Sequence, residues 1–268
     1  MTDRDPVTDR HPVLYEDNHL IAVVKPPGLA AQGNGREPDL LAWVKARRKA
    51  LEHKKGEAYV GLVHRLDRPT GGVMVFAKTS KAAARLSAAF REQTVDKRYL
   101  AVIDGHPRPP AGRLVDCLKK RPDGHVVVVR CGEPDARKAV LDYALLGTRR
   151  GHALLDIRPR TGRPHQIRVQ LAAHLAPIAG DRRYHPRPDP ALPTLALWAY
   201  ALVVPHPTTR APLLFSALPD DLPPWPAYRP ELAALRAALD AEARTIAENT
   251  GGTSGPGGPP CPGAPGSA

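Results

Sequence analysis

The chain has little cysteine and no long apolar run, and each shortage excludes a class of protein. Its 268 residues include three cysteines, an odd number without any Cys-x-x-Cys spacing. Together with the missing secretory signal, this predicts that Cys117, Cys131 and Cys261 are reduced thiols in a cytoplasmic protein. No apolar run approaches the ~18 residues of a membrane span. Residues 1–11 are charged and lack the apolar core of a signal peptide, so we expect no membrane partner.

Acidic residues are also scarce relative to basic ones. The chain carries 39 Lys and Arg against 27 Asp and Glu, a formal net charge of +12. This excess favours a polyanionic partner, with nucleic acid ahead of an anionic membrane surface. Codon bias in a GC-rich genome would also give an Arg-rich, Ala-rich chain, so charge alone does not decide. The histidines are scattered, and His165 and His174 lack the i, i+4 spacing of a helical zinc site, so we expect no metal.

Composition shifts divide the chain into four parts. We expect a disordered leader over residues 1–12, one domain over 13–228 and an amphipathic helix over 229–248. The last part, 249–268, contains no charge, and 12 of its 20 residues are Gly or Pro. Such a segment cannot bury enough apolar surface to offset the cost of ordering the chain, so we predict a disordered tail.

Cap signals predict two helices in the first hundred residues. Asp39 is placed to cap the first, and Thr79 the second, which we expect over residues 80–93. Four basic residues of the first helix are expected on an exposed face: Lys45, Arg47, Arg48 and Lys49. Strand-like runs are found at 13–15, 20–24, 73–77, 98–103, 125–131, 138–146 and 152–158.

A third helix is predicted to begin at Pro164, because proline is well tolerated in the first turn. Its N-terminus would expose unpaired backbone N–H groups, with Arg163, His165 and Gln166 as side-chain donors for a phosphate or a base edge. Arg168 would lie one turn after His165 on the same side. Without other motifs, a surface Arg168 and a capping His165 would be the simpler interpretation.

The most informative stretch runs from Gly61 to Lys78 and reads Gly-Leu-Val-His-Arg-Leu-Asp-Arg-Pro-Thr-Gly-Gly-Val-Met-Val-Phe-Ala-Lys. It places Asp67 among basic side chains, where a buried strand gives way to a Pro-Thr-Gly-Gly corner. Sites are commonly built where a rigid sheet passes into a loop. An aspartate at such a corner can also simply cap a turn or pair with a neighbouring arginine.

Seven segments that follow one another along the chain help to interpret Asp67. They are residues 13–28, 61–78, 96–105, 161–175, 180–184, 195–202 and 205–207. Together they resemble the RluA-type family of RNA pseudouridine synthases, over residues 13 to about 226. The resemblance implies an α+β fold with a mixed, mainly antiparallel sheet flanked by helices. It also implies isomerisation of uridine to pseudouridine in a structured ribosomal or transfer RNA, by base flipping and without a cofactor or metal.

Matched to the family residue by residue, three positions fall on the catalytic machinery. Asp67 matches the catalytic aspartate, which attacks the substrate or stabilises or deprotonates the sugar. Tyr99 matches the tyrosine that stacks beneath the base. Arg168 matches the basic residue that pairs with the aspartate, and a guanidinium fork suits a carboxylate well.

Other matched or neighbouring positions would bind RNA or brace the site. Arg65 matches the residue that fills the gap left by the flipped nucleotide. The expected RNA-binding set is Arg65, His64, Lys97, Arg163, His165 and Gln166. His64 could also pin the catalytic loop through a hydrogen bond, and Lys25 is expected to be architectural or to face RNA.

One departure from the family concerns the corner after Asp67. Family members usually carry Thr-Ser-Gly where this chain has Thr70, Gly71 and Gly72. We expect the missing hydroxyl to remove one local hydrogen bond and to add backbone freedom.

Two alternatives remain at this point. One is a noncatalytic RNA-binding protein or RNA chaperone derived from the same fold, although binding alone would not require Asp67, Tyr99 and Arg168. The other is a glycosylase that uses the same flipped-base geometry and releases free uracil. We expect the chain to be a monomer whose partner is RNA.

Overall fold

One eleven-stranded sheet runs through the computed structural model, which describes residues 11–52 and 56–250. Its strands are β1 (Val13–Glu16), β2 (Leu20–Lys25), β3 (Gly61–Leu62), β4 (Gly71–Ala77), β5 (Asp96–Ile103), β6 (Ala111–Lys120), β7 (Val126–Val129), β8 (Arg137–Arg149), β9 (His152–Pro159), β10 (Leu197–Pro205) and β11 (Pro212–Ser216). The helices are α1 (Leu40–Leu51), α2 (Ser80–Arg91), α3 (Gln166–His174) and α4 (Arg229–Asn249), with a 3₁₀ turn at Trp225–Tyr228. The predicted α+β class is confirmed.

The strand order explains how distant segments meet. The main path is β1-β2-β4-β10-β5-β9-β8-β6-β7, with β3 beside β4 and β11 beside β10. All pairings are antiparallel except that of β4 with β10, where Gly71 and Gly72 lie opposite Trp198 and Ala199. Because the same two β10 residues pair with Leu100 and Tyr99, the loop that enters β4 lies close to the middle of β5.

Helices cover both faces of the sheet around β4, which is buried along its whole length. Val73 and Val75 pack on the side of α2, whereas Met74 and Phe76 pack on the side of α1. This alternation is the period of a strand. A larger core lies around β5, β9 and β10, and α3 and α4 pack their apolar side chains against it.

The predicted caps of α1 and α2 are confirmed, but two details of the helices differ. Asp39 accepts a hydrogen bond from the Ala42 amide at 2.8 Å, and Thr79 accepts one from the Ala82 amide at 3.1 Å. The prediction of an exposed Arg48 is wrong. Its guanidinium is buried and donates to the carbonyl oxygens of Tyr59 and Lys78, because α1 lies where those two loop ends converge.

The predicted start of α3 is also wrong. His165 has a φ of 51°, in the left-handed region, and therefore cannot belong to the helix. The helix begins at Gln166, so Pro164 lies before it rather than in its first turn.

The prediction of reduced thiols is wrong for Cys117 and Cys131, and Cys261 lies outside the described residues. Cys117 lies on β6 and Cys131 follows β7, and the two form a disulfide with their Cα atoms 5.2 Å apart. Strand β6 was not predicted, so we had no reason to place Cys117 opposite the end of the next strand. Antiparallel pairing of Cys117 with Val129 brings the two positions together.

Some expectations fall on parts of the chain for which no structure is described. Residues 1–10 and 251–268 lie outside the described ranges, so disorder there stays a prediction. Pro12, which we placed in the leader, accepts a hydrogen bond from the Val24 amide at 2.9 Å. Asn249, which we placed in the tail, is the last residue of α4. In the described ranges no helix combines the length and the apolar character needed to cross a membrane.

Candidate active site

The loop between β3 and β4 carries Asp67, and a buried lysine fixes its path. Lys25 is fully buried, and its ammonium donates to the carbonyl oxygens of Arg68 at 3.0 Å, Leu29 at 2.6 Å and Pro26 at 3.1 Å. Burial lowers the pKa of Lys25 to about 7. Of the two roles expected for Lys25, the structure supports the architectural one, because the ammonium joins the turn after β2 to the catalytic loop.

His64 holds the same loop from the other side. Its Nε2 accepts a hydrogen bond from the Val75 amide at 3.0 Å, and its ring stacks on Phe90 at a centroid distance of 4.5 Å. Burial, followed by the positive charge of Lys97, lowers the pKa of His64 to about 3. The ring is therefore neutral at physiological pH and can accept the Val75 proton. The hydrogen bond expected for His64 is present, although its partner lies on β4.

We expect His64 to make folding less favourable as the pH falls. The unfolded chain protonates His64 near 6.5, whereas the folded chain does so only near 3. Between these values the unfolded state binds the extra proton, and one such proton changes the free energy of unfolding by at most about 1.4 kcal/mol per pH unit. Denaturant unfolding of the wild type and His64→Gln at pH 7, 6 and 5 measures the effect. The free energy of unfolding of the wild type, relative to that of the variant, should decrease as the pH is lowered from 7 to 5. If the difference between the two proteins stayed the same at all three pH values, the argument would be contradicted.

Arg168 reaches Asp67 from α3 while a second carboxylate holds it in place. Its Nη1 lies 3.4 Å from Oδ2 of Asp67. Its Nε and Nη2 form a two-pronged pair with Asp181, at 2.8 and 2.7 Å. Burial acts to lower the pKa of Arg168, but the hydrogen bonds and charge of Asp181 outweigh it and the pKa is raised. Arg168 is thus a fixed positive charge that faces Asp67.

A second group beside Asp67 is His165. Its Nε2 lies 3.8 Å from Oδ2 of Asp67, and its Nδ1 is 2.6 Å from the Tyr184 hydroxyl. That hydroxyl accepts a hydrogen bond from the Val126 amide at 3.1 Å, so its own proton is available to Nδ1. This arrangement favours the tautomer that carries a proton on Nε2, towards the carboxylate. Burial lowers the pKa of His165, which keeps the ring neutral at physiological pH.

Asp181 and Tyr184 were not named as site residues from the sequence. Both belong to the segment Gly180–Tyr184, which formed part of the family resemblance without receiving a role. The Asp181 carboxylate also accepts the backbone N–H groups of Arg183 at 2.9 Å and Tyr184 at 3.1 Å. A Gly-Asp-x-x-Tyr turn of this kind is the signal that could have indicated them.

Tyr99 and Lys97 enter the site from β5. They are two positions apart and therefore lie on the same face of the strand. Burial raises the pKa of the Tyr99 phenol, and the negative charge of Asp67 adds to the effect. Burial lowers the pKa of Lys97, whose ammonium donates to the Thr161 carbonyl at 3.3 Å. Tyr99 is therefore a neutral phenol at physiological pH.

These side chains surround one cleft of about 440 Å³. All nine residues named from the sequence line it: His64, Arg65, Asp67, Lys97, Tyr99, Arg163, His165, Gln166 and Arg168. Both apolar and polar side chains line the cleft. In residues 11–52 and 56–250 no three His, Cys, Asp or Glu side chains group as a metal site would require.

Gln166 does not fit the RNA-binding role expected for it. Its side chain is buried, and its amide oxygen accepts from the Thr161 hydroxyl at 2.6 Å and the Arg163 amide at 3.0 Å. Its amide nitrogen donates to the Val140 carbonyl at 3.0 Å. Gln166 therefore joins the turn before α3 to strand β8.

Gly71 does not loosen the corner after Asp67 as we expected. It lies in β4, is buried, and faces the indole of Trp198 across the parallel pair. A Cβ at Gly71 would lie 2.2 Å from Cζ3 of Trp198. The indole thus fills the space that a side chain at this position would need, and its Nε1 is anchored to the Ala217 carbonyl at 2.8 Å.

Restoring the serine that is usual in the family, Gly71→Ser, is therefore expected to destabilise this chain. Forcing extra atoms into a packed region costs about 1–3 kcal/mol, and the anchored indole has little room to move. Thermal or denaturant unfolding measures the loss. Combining Gly71→Ser with Trp198→Leu should cost less than the sum of the two single changes. Additive losses would show that the indole is not the obstacle.

Comparison of the chain with known proteins gives a match that includes most residues of the cleft. Residues 19–173 match the family described as RNA pseudouridylate synthase. The chain belongs to the RluA-type RNA pseudouridine synthases. This family converts uridine to pseudouridine, and the chain is accordingly an RNA-modifying isomerase.

Individual relatives of this synthase cover most of the chain. The dual-specificity RNA pseudouridine synthase RluA of Escherichia coli K12 is 35% identical over 215 residues, which span 78% of this chain and 93% of that protein. The ribosomal large subunit pseudouridine synthase D of Nitrosomonas europaea is 36% identical over 226 residues, spanning 78% of this chain and 62% of that protein. The solved structure of human RNA pseudouridylate synthase domain containing 4 superposes with a TM-score of 0.66 at 28% identity, covering 84% of this chain and 92% of that one.

Proposed function

We propose that this synthase isomerises uridine in a structured ribosomal or transfer RNA, with Asp67 as the catalytic carboxylate. The observation that carries the proposal is the position of Asp67 in one cleft, 3.4 Å from a guanidinium that is itself held by a second carboxylate. The guanidinium can hold the carboxylate in one orientation, as attack on the substrate or on a sugar proton requires.

The reaction needs no outside reactant. Uracil is detached from C1′, turned within the site and rejoined through C5. Asp67 would attack the substrate or stabilise or deprotonate the sugar while the glycosidic bond is broken. Tyr99 would stack beneath the detached base, and its neutral phenol suits that contact. Arg168 and His165 would hold the carboxylate in one orientation during both halves of the reaction.

The target nucleotide must leave its stack to reach Asp67. Flipping a base costs a few kcal/mol, and enzymes that act on a base in this way stabilise the extruded form. Arg65 is exposed at the rim of the cleft and would occupy the gap left in the RNA. Lys97 and Arg163 would contact the phosphates of the flipped nucleotide.

The choice of ribosomal or transfer RNA rests on the relatives. One is named for the ribosomal large subunit and another for dual specificity. We propose that the chain acts as a monomer in the cytoplasm, where both RNAs are used. The Cys117–Cys131 disulfide removes the reduced-thiol argument for this location, so the proposal rests on the RNA substrate.

The deciding experiment maps pseudouridine in total RNA from cells with and without this gene, followed by reaction of the purified protein with the RNA that differs. We expect one or more uridines to become pseudouridine in both settings, with RNA mass unchanged and no free uracil. Release of uracil would indicate the glycosylase instead. RNA binding without any new pseudouridine would indicate the noncatalytic alternative.

A further inference from the structure

A second depression of about 520 Å³ adjoins the active cleft on the far side of Asp67. The two share Arg65, Asp67, His165 and Arg168, so a strand that delivers a nucleotide to the cleft can continue into the depression. Besides Arg168, four arginines line the depression together with small and apolar residues: Arg65, Arg68, Arg182 and Arg183. We call these four residues the arginine groove.

The positive charge of the arginine groove is not balanced by free acids. The carboxylates that line the depression are Asp67, which belongs to the active cleft, and Asp181. Asp181 is fully buried and occupied by Arg168. Glu37, outside the depression, pairs with Arg68 at 2.9 Å, and that pair is largely exposed to solvent. Exposed pairs of this kind are weak and easily exchanged for another anion.

Three of the four arginines, Arg65, Arg182 and Arg183, are exposed and have no carboxylate partner in the part of the chain that the structure describes. In the part of the chain that the structure describes, neither Arg65 nor Arg182 has a side-chain hydrogen bond or ion pair with another residue. Arg183 has only a long contact, 3.4 Å, to the Gly124 carbonyl. Both Arg182 and Arg183 are exposed.

A third depression on the opposite side of the cleft provides a contrast. It is also basic, with Arg113, Lys138, Arg160 and Arg163 among its lining residues. Here Asp142 accepts from Arg113 at 2.6 Å and from Arg160 at 2.7 Å. These two arginines lower the pKa of Asp142 to about 2, so it remains a carboxylate that neutralises much of their charge.

We propose that the arginine groove binds the phosphates of the RNA strand beside the flipped nucleotide, chiefly through Arg182 and Arg183. The inference rests on RNA being the substrate and adds the path that the strand takes. A guanidinium matches phosphate with two parallel hydrogen bonds. The carboxylate that orients Arg168 towards Asp67 also accepts the Arg183 amide. One rigid turn therefore sets the phosphate donors at a fixed position relative to the catalytic carboxylate.

The test compares two double variants that remove the same charge, Arg182→Ala with Arg183→Ala and, as the matched control, Arg113→Ala with Arg160→Ala. The probe is a synthetic RNA stem-loop with uridines in its loop, because phosphate contacts do not depend on sequence. Affinity is measured at several salt concentrations. Each lost phosphate contact should reduce the slope of log K against log salt by roughly 0.7–0.9 and should weaken binding at low salt about tenfold.

We expect the Arg182 and Arg183 pair to show both losses, and the control pair to show a smaller change in each. A charge-conserving pair, Arg182→Lys with Arg183→Lys, should keep the wild-type salt slope. Wild-type affinity and slope in the alanine pair, or an equal loss in the control pair, would overturn the inference. Thermal unfolding of each variant identifies any loss that comes from misfolding, and in that case the lysine pair and Arg182→Gln with Arg183→Gln provide the comparison.

This result is separable from the proposed function. If the wild type forms no pseudouridine in any RNA, the enzyme proposal fails whatever the groove variants do. If the wild type is active and the alanine pair binds the stem-loop as the wild type does, only the groove assignment fails.

Discussion

Asp67→Asn is expected to slow pseudouridine formation by at least roughly 10²–10⁴-fold, the range associated with loss of a positioned acid or base. The amide has nearly the same shape as the carboxylate but can neither attack the sugar or base nor accept a proton at neutral pH. Its carbonyl oxygen can still accept from Arg168, which lies 3.4 Å from Oδ2 in the wild type. The cleft should therefore keep its form.

The measurement is single-turnover pseudouridine formation with enzyme in excess, together with RNA affinity. Asp220→Asn serves as the control, because Asp220 is an exposed carboxylate paired with Arg236. RNA binding should survive in both variants, and only Asp67→Asn should lose turnover. Undiminished turnover by Asp67→Asn would remove Asp67 from the chemistry.

Asp181→Asn is expected to have the second large effect, on stability and turnover together. Asp181 is fully buried. Without its charge, the buried Arg168 guanidinium would keep only the longer contact, of 3.4 Å, with Asp67. Removing one partner of a buried ion pair costs about 3–5 kcal/mol. Arg168 would also lose the two-pronged contact that aims it at Asp67, so the folded fraction should react more slowly even with saturating RNA.

A matched variant separates these two consequences. Glu242→Gln breaks another two-pronged pair, with Arg98, at 2.6 and 2.7 Å, but Glu242 lies on α4, outside the residues that line the cleft. It should lower stability and leave turnover unchanged. Asp181→Glu retains the charge and should recover part of both properties. If Asp181→Asn kept wild-type turnover per folded molecule, Asp181 would serve stability alone.

Local signals in the sequence predict much of the sheet and its helices. The caps at Asp39 and Thr79 require only a few neighbouring residues, and the buried strand after Gly71 is apparent from its continuous apolar run. Strand β6 carries Asp116 and several charged residues in a mixed pattern, and only its pairing with β7 and β8 makes it a strand. The disulfide depends on that pairing and was missed with it.

The site residues likewise divide into those that sequence motifs predict and those that only the folded structure brings into the site. Motifs brought Asp67, Tyr99 and Arg168 to attention, and the structure places all three around one cleft. Asp181 was missed because its partner is 13 positions away, which no helix or strand period connects. The inward position of Gln166 was not predicted either, since one of its partners, Val140, is 26 positions away.

The ammonium of Lys25 has a consequence for how the His64–Asp67 motif can be used. The three carbonyl oxygens around it include that of Arg68, 43 positions later in the chain. The curve of the loop is therefore a property of the first hairpin as much as of its own residues. On another scaffold the tetrapeptide would lack the buried ammonium that binds the carbonyl of the next residue, Arg68. The motif therefore identifies members of the family, but we do not expect it to keep its conformation in another fold.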